Sequence, residues 1–387
     1  MKKLISIIFV CILAFMITAC SNETKTTTTT NESSTNNTNT TEIFKAIPKE
    51  ELKVGVLYIG DPAEGSGYTY AHDVGVQKMK KEIGLSDEQV ICKTNVADND
   101  PSAIESAMLE CIEEGCKLIL ATSWGYLDTC SALSKQYPDV LFTQCCGYEN
   151  NGTNYANYYG RMYQARYLSG IAAGLKTKSN KIGFVAAWGA DSTEITCGID
   201  AFAMGVASVN DKAKVYVKVT NSWYDPEGER AAATALINSG CDVIAQHCDT
   251  ANPQLAAEEA NVYSIGWTSD MSKEAPKSVL TSCLWNWDAY YTKVVNDVIN
   301  GTWNCESYLE GVNTGIVSLA DLSDLCADGT KEAVDAALAK IKDGTLEVFS
   351  GVIETNDGKT VGEEGKVLDD QTIMNDIHWY YKNVEVK

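Results

Sequence analysis

Tryptophan and short polar side chains recur together at particular points in this 387-residue chain. Five of its eight tryptophans, Trp124, Trp188, Trp267, Trp285 and Trp287, fall at or just beyond short runs of β-branched and apolar residues. Asp128, His247, Asp249 and Asp270 lie in or beside the same segments. An indole face suits stacking on a flat ring, and nearby carboxylates and amides can fix that ring's edge by hydrogen bonds. Trp287 opens a helical pattern and is expected to pack instead. A glycine-rich loop, Gly60-Asp61-Pro62-Ala63-Glu64-Gly65-Ser66-Gly67-Tyr68, adds Gly60, Ser66, Gly67 and Tyr68 to the candidate ligand-binding set. That loop has neither Gly-x-Gly-x-x-Gly spacing nor a Walker ending, so it implies no phosphate cradle and no nucleotide cofactor. A Gly-x-Ser-x-Gly elbow and a His-Glu-x-x-His helix are both absent. His72 and Asp73 have the composition of an acid–base pair, but near a predicted helix start they are expected to cap and pack. His72, His247 and His378 are scattered, without zinc-ligand spacing. Binding without catalysis, metal or cofactor is the expectation.

The elements that would position these residues follow a regular alternation. Strands are predicted at 53–59, 90–95, 117–122, 139–144, 181–187, 214–219, 242–246, 262–266 and 279–283. Helices are predicted between them at 72–83, 101–114, 129–136, 163–176, 193–209, 226–239, 252–260 and 287–300, with another at 331–342. Pro101, Pro226 and Pro253 stand at helix starts, where the missing N–H costs nothing. Short buried strands alternating with amphipathic helices are the pattern of an α/β protein with parallel sheet. The stretch Ser106 to Ile119 also aligns with Ala231 to Ile244, each reading as helix, Gly-Cys turn and strand. One unit used twice implies two similarly built lobes. Ligands of open α/β sheets bind beyond the carboxyl ends of strands, which is where the tryptophans fall.

Charge and cysteine content narrow the class. The chain begins with Lys2 and Lys3, an apolar stretch from Leu4 to Ile17, and Ile17-Thr18-Ala19-Cys20. The apolar stretch is short for a membrane span but suits a signal peptide, and its end resembles the bacterial lipobox. Residues 1–19 are therefore expected to be a signal peptide and Cys20 a lipidated N-terminus, anchoring the protein to the outer face of the cell membrane. The Ser/Thr/Asn-rich stretch that follows has little apolar surface, and residues 20–48 are expected to form a tether. Without residues 1–19 the chain carries 29 basic and 52 acidic residues, a net charge of −23, which argues against nucleic-acid binding. Of fourteen cysteines, Cys11 leaves with the signal and Cys20 is lipidated. The other twelve include no Cys-x-x-Cys, and several sit in apolar runs as small hydrophobes, so mostly free thiols are expected.

The folded part resembles the basic membrane protein family of ABC-transporter substrate-binding lipoproteins. The resemblance covers nearly all of residues 52–305. It is carried by Lys53-Val54-Gly55-Val56-Leu57-Tyr58-Ile59-Gly60, by Gly67 to Gly75, by Tyr159-Gly160-Arg161 with Tyr167 to Gly174, by Lys181 to Ala187, by Trp223-Tyr224-Asp225-Pro226 and by Ile265 to Met271. It implies a type I periplasmic-binding-protein fold, with two Rossmann-like lobes joined by a multi-strand hinge and closing on a ligand. Lobe 1 is expected over 49–160 with 286–320, and lobe 2 over 161–285 with 321–387. It further implies a purine ligand, an ABC permease as partner, and contact of the base with Asp128. Nucleoside-binding relatives have a Gly-x-Asp and a lysine that hold ribose, and the matching positions here are Thr268 and Trp285. A purine base of the adenine kind is therefore favoured over an intact nucleoside. A surface ligand sensor or adhesin on the same fold and an exported nucleoside hydrolase are the competing classes.

Overall fold

The computed structural model describes residues 44–387. The expected signal peptide, Cys20 and the tether up to residue 43 lie outside the described residues. The end of the expected tether belongs to the folded body. The Ile47 amide donates to the Val298 carbonyl (3.1 Å), and Phe44 and Ile47 pack against the core of the first lobe. Burial of two large apolar side chains offsets the entropy of ordering this short stretch.

The first lobe is built from β1 (Val54–Leu57), α1 (Gly67–Ile83), β2 (Val90–Lys93), α2 (Pro101–Glu113), β3 (Leu118–Ala121), α3 (Leu127–Gln136), β4 (Leu141–Cys145) and β5 (Tyr155–Gly160). The alternation resumes with α4 (Met162–Lys176), β6 (Lys181–Ala186), α5 (Thr193–Val209), β7 (Lys214–Val219), α6 (Pro226–Asn238), β8 (Val243–His247), α7 (Asn252–Glu259), β9 (Tyr263–Thr268) and β10 (Val279–Trp285). The chain then returns to the first lobe through α8 (Asp288–Asn300), which packs on α1, and β11 (Tyr308–Glu310). It crosses back through β12 (Val317–Leu319) and ends in α9 (Thr330–Lys342), β13 (Ile353–Glu354), β14 (Thr360–Val361), α10 (Asp370–Asn375) and β15 (Val384–Val386).

Strand pairing sorts these into sheets ordered β11-β5-β4-β3-β1-β2 and β12-β10-β9-β8-β6-β7-β15, with β13 and β14 forming a separate ribbon. Within the two large sheets only β12 runs antiparallel, against β10. Without the edge strands β11, β12 and β15, both sheets have the order 2-1-3-4-5. This is the α/β architecture the alternation implies: two Rossmann-like lobes of parallel sheet. Strands β1, β3, β4 and β8 are buried along their whole length, as helices on both sheet faces require. In each lobe the strand order reverses between the first and third strands, a topological switch point where crevices form.

The internal repeat has a local cause. Gly115 (φ 92) and Gly240 (φ 97) take left-handed backbone at the ends of α2 and α6. Behind them the Cys116 and Cys241 amides donate to the Cys111 and Leu236 carbonyls (2.9 and 3.2 Å). These are Schellman caps, and each hands the chain to a buried strand beside its lobe's switch point. All twelve cysteines from Cys92 to Cys326 are free. No described helix is long and apolar enough to cross a membrane.

Candidate functional site

The two switch points meet at the start of α1, which begins at Gly67, five residues before the predicted start. The missed turn is rich in Gly, Tyr and Thr, without the apolar repeat that marks a helix. Ser66 is its N-cap residue. Gly67 has φ +85, and a Cβ there would stand 2.5 Å from the Asp249 carbonyl oxygen, beyond β8 of the other lobe. Only glycine permits both the conformation and this approach. Gly60 closes the other end of the loop, its carbonyl accepting from the Asn95 amide (3.1 Å).

On the lobe 1 side, the Tyr68 hydroxyl donates to the Thr122 carbonyl beyond β3 (2.7 Å) and lies 3.6 Å from Cys145 Sγ at the end of β4. Its ring meets His72 edge-on at 4.5 Å. His72 stacks on Trp287 (4.3 Å, 11°), and Trp287 stacks on Trp285 (4.4 Å, 9°). An aromatic ladder thus runs from the glycine loop to the hinge. Trp287 is fully buried within it, in keeping with a packing role. His72 is also buried and pairs through Nδ1 with the Tyr291 hydroxyl (2.6 Å), and burial pushes its pKa well below the ordinary histidine value. Asp73 instead accepts from Tyr58 (3.2 Å). The two side chains therefore pack, as expected, but neither caps α1, which starts earlier.

On the lobe 2 side, His247 ends β8 beside Trp267 (ring centroids 4.1 Å apart) and Trp223 (5.8 Å). His247 Nε2 lies 3.6 Å from Glu194 Oε1, and the Tyr159 hydroxyl donates to the same oxygen (2.5 Å). Arg166, fully buried, reaches from α4 to donate to the Gln246 carbonyl (2.8 Å), with its guanidinium 3.6 Å from the centroid of the Trp267 ring. Burial lowers Arg166 only to about 10, so it stays charged. Burial alone would raise Glu194, but His247, Tyr159 and Arg166 together hold it below the usual carboxylate range. Burial lowers His247 to about 4, against the opposing pull of Glu194. At neutral pH the cluster is thus a cation, an anion and a neutral imidazole. Asp249, next along, is pushed up to about 8 by burial and then by Glu229, Glu194, Asp98 and Glu64. Its amide donates to the Trp223 carbonyl (2.9 Å), tying the loops after β7 and β8 together.

The remaining candidates are spread around this centre. Trp285 is buried at the hinge, its ring so close to Gly160 that a Cβ there would stand 2.6 Å away. Trp188 is 37% and Trp124 61% exposed, so both indoles retain open surface at the strand ends. Asp128 is exposed in the first turn of α3. Asp270 is exposed and accepts from the Ser272 amide (2.9 Å). Between Trp267 and Asp270, Thr268 holds φ 64, an unfavourable conformation for a β-branched residue and one that clusters at ligand sites. The residues that sequence reasoning left out are Glu194, Arg166, Tyr159 and Trp223. Glu194 reads as a favourable acid in a helix first turn. Tyr159 and Trp223 stand in the Tyr159-Gly160-Arg161 and Trp223-Tyr224-Asp225-Pro226 segments of the resemblance, but nothing there marks them as site residues. No group of three or more metal-ligating side chains converges among the described residues. Aromatic faces, carboxylates and one buried cation equip this cleft to stack and hydrogen-bond a small polar ring.

The family model "Bmp: ABC transporter substrate-binding protein PnrA-like" matches residues 52–350. A purine-binding protein of Brucella abortus is 34% identical over 339 residues, covering 88% of this chain and 94% of that protein. A protein of Haloferax volcanii named for glucose binding by an ABC transporter is 32% identical over 302 residues, 78% of this chain and 75% of its own. Among solved structures, a transcriptional activator from Bacillus halodurans matches with TM-score 0.67 at 20% identity, covering 76% of this chain and 99% of that one. An ABC transporter solute-binding protein from Aeropyrum pernix matches with TM-score 0.64 at 17% identity, covering 76% and 92%. These structures share the fold. The family consists of solute-binding components of ABC transporters, not enzymes, which act outside the cytoplasm and engage a small-molecule ligand and a permease. The chain belongs to the PnrA-like family of ABC transporter substrate-binding proteins.

Proposed function

We propose that this protein captures a purine base of the adenine kind between its two lobes and delivers it to an ABC permease while lipid-anchored through Cys20 to the outer face of the cell membrane. The observation that carries the choice of base over nucleoside is Trp285. Where nucleoside-binding relatives are expected to place a lysine for ribose, this chain stacks an indole on Trp287 at 4.4 Å and packs it over Gly160. An indole offers one N–H and a face, and its bulk occupies the hinge side of the cleft. The acidic lining supports a ligand rich in hydrogen-bond donors, since Glu194 is ionised and Asp249 stands beside it. Adenine presents such donors at its amino group and ring N–H. Trp223, Trp188 and Trp124 supply open indole faces, and Gly60, Ser66, Gly67, Tyr68 and Asp128 from lobe 1 would close against His247, Asp249, Trp267 and Asp270 from lobe 2. The lobes of this reading are 49–160 with 286–320 and 161–285 with 321–387, except that β12 (Val317–Leu319) pairs with β10 and so belongs to the second sheet. The resemblance to a purine-binding protein at 34% identity supports this reading.

A sugar is the second reading, favoured by the glucose-named relative at 32% identity and by the ability of indoles with carboxylates to hold a pyranose. Thermal-shift measurements against adenine, guanine, hypoxanthine, their nucleosides and glucose separate the two. Stabilisation by purines and not by glucose is expected. Stabilisation by glucose alone would replace the purine reading while leaving the transport role intact.

A further inference from the structure

We infer that Glu229 is a positioning residue that clamps the two lobe 2 loops carrying Trp223 and Asp249 into one ligand-binding wall. Helix α6 opens at Asp225, whose Oδ1 accepts from the Gly228 amide (3.0 Å). One turn into the helix, Glu229 points its carboxylate back: Oε1 accepts from the Asp225 amide (3.2 Å), and Oε2 accepts from the Thr250 hydroxyl (2.5 Å). Thr250 in turn accepts from the Asn252 amide (3.1 Å), at the start of α7. One carboxylate thus joins the loop after β7 to the loop after β8, beside the backbone bond from Asp249 to Trp223. A carboxylate that only caps a helix can do so at the surface, in water. Glu229 is fully buried, which costs free energy unless both oxygens are matched by donors. They are, and the donors come from different binding loops. Burial raises its pKa, and its charge is among the groups that push Asp249 up, together with Glu194, Asp98 and Glu64.

The role in ligand binding rests on the purine reading, so the test has a ligand-dependent and a ligand-free arm. Glu229→Ala cuts both ties. Glu229→Gln keeps a carbonyl for the Asp225 amide but turns an amino group toward Thr250 Oγ1, which already accepts from Asn252. Calorimetry with adenine should show a loss of about tenfold or more for the alanine variant and a smaller loss for glutamine. The pH profile of adenine binding in the glutamine variant should also move to lower pH, because a charge that raises Asp249 has gone; the split in affinity between the alanine and glutamine variants, and not this shift, separates a clamp from a helix cap. Amide exchange without ligand should quicken in both 220–229 and 247–255 in the alanine variant and stay unchanged in lobe 1. Adenine affinity within about twofold of wild type, with exchange altered only in the first turn of α6, would overturn the inference. If the wild type binds no purine, the purine reading fails and the exchange data alone decide the clamp. Should Glu229→Ala not fold, Thr250→Val removes one tie and carries the same measurements.

Discussion

Asp249 offers a test whose size follows from the structure. An aspartate in an unfolded chain titrates near 3.9, whereas burial and four surrounding carboxylates push Asp249 to about 8. Between those values the folded protein holds a proton that the unfolded chain releases, so this residue lowers stability progressively as pH rises from about 4 to 8. At pH 7.5 the full shift would correspond to roughly 5 kcal/mol at about 1.36 kcal/mol per unit. The side chain is partly open to the cleft, and solvent screening reduces this to roughly 2 kcal/mol. Asp249→Asn removes the linkage while keeping the shape. With an unfolding entropy of about 2.1 cal/mol/K per residue over about 340 residues, the variant should melt about 3 °C above wild type at pH 7.5. At pH 4.5 both side chains are largely neutral, and the gap should shrink below about 1 °C. Buried His247, lowered to about 4, destabilises both proteins as pH falls below about 6.5, but that contribution cancels in the difference. Calorimetric melting at the two pH values reads the effect directly. An equal gap at both pH values would mean that Asp249 is not a protonated, buried carboxyl and that the electrostatic account of the cleft is wrong.

Other expectations follow from the same geometry. Wild-type stability should change little from about pH 4.5 to 6.5, where the opposing contributions of His247 and Asp249 offset each other, and fall from about pH 6.5 to 8, where only Asp249 contributes, as thermal melts across pH 4.5–8.5 would show. Gly67→Ala should keep native far-UV circular dichroism but weaken adenine binding by about tenfold or more, since the added Cβ meets the Asp249 carbonyl when the lobes close. Trp223→Ala should cost about 1–3 kcal/mol of adenine affinity by calorimetry if its 37%-exposed ring stacks on the base; unchanged affinity would assign it to packing. Trp285→Ala should lower stability by about 3–5 kcal/mol in denaturant titration and raise the affinity for adenosine relative to adenine. A fall in both affinities with no change in their ratio would argue against Trp285 as the excluder of ribose.

The architecture was largely legible because its cause is local. Buried strands such as Val54–Leu57 and Leu118–Ala121 are continuous apolar runs, and the duplicated helix–Gly–Cys–strand unit carries its own Schellman cap. Strand β5 escaped notice because Tyr155-Ala156-Asn157-Tyr158-Tyr159-Gly160 has no β-branched residue; its tyrosines are strand residues only because a neighbouring strand and α8 bury them. The hinge strands β11 and β12, three residues each, are too short to show a period. For the candidate site, the strand-end tryptophans are legible in the sequence but not which of their rings stay open. Trp285 and Trp287 are drawn into the aromatic ladder, whereas Trp124 and Trp188 stay open. Arg166 and Glu194 lie on helices, where their types read as ordinary, and only the packing of α4 and α5 brings them to His247. Contacts of that kind are set by tertiary structure, and no spacing in the chain records them.

The central claim is that the cleft takes a purine base and excludes its ribose. Titration calorimetry of the folded protein with adenine and with adenosine tests it most directly. The account predicts that adenine binds at one site at least about tenfold more tightly than adenosine, a difference of about 1.4 kcal/mol. Adenosine binding as tightly as adenine, or heat from neither, would contradict it.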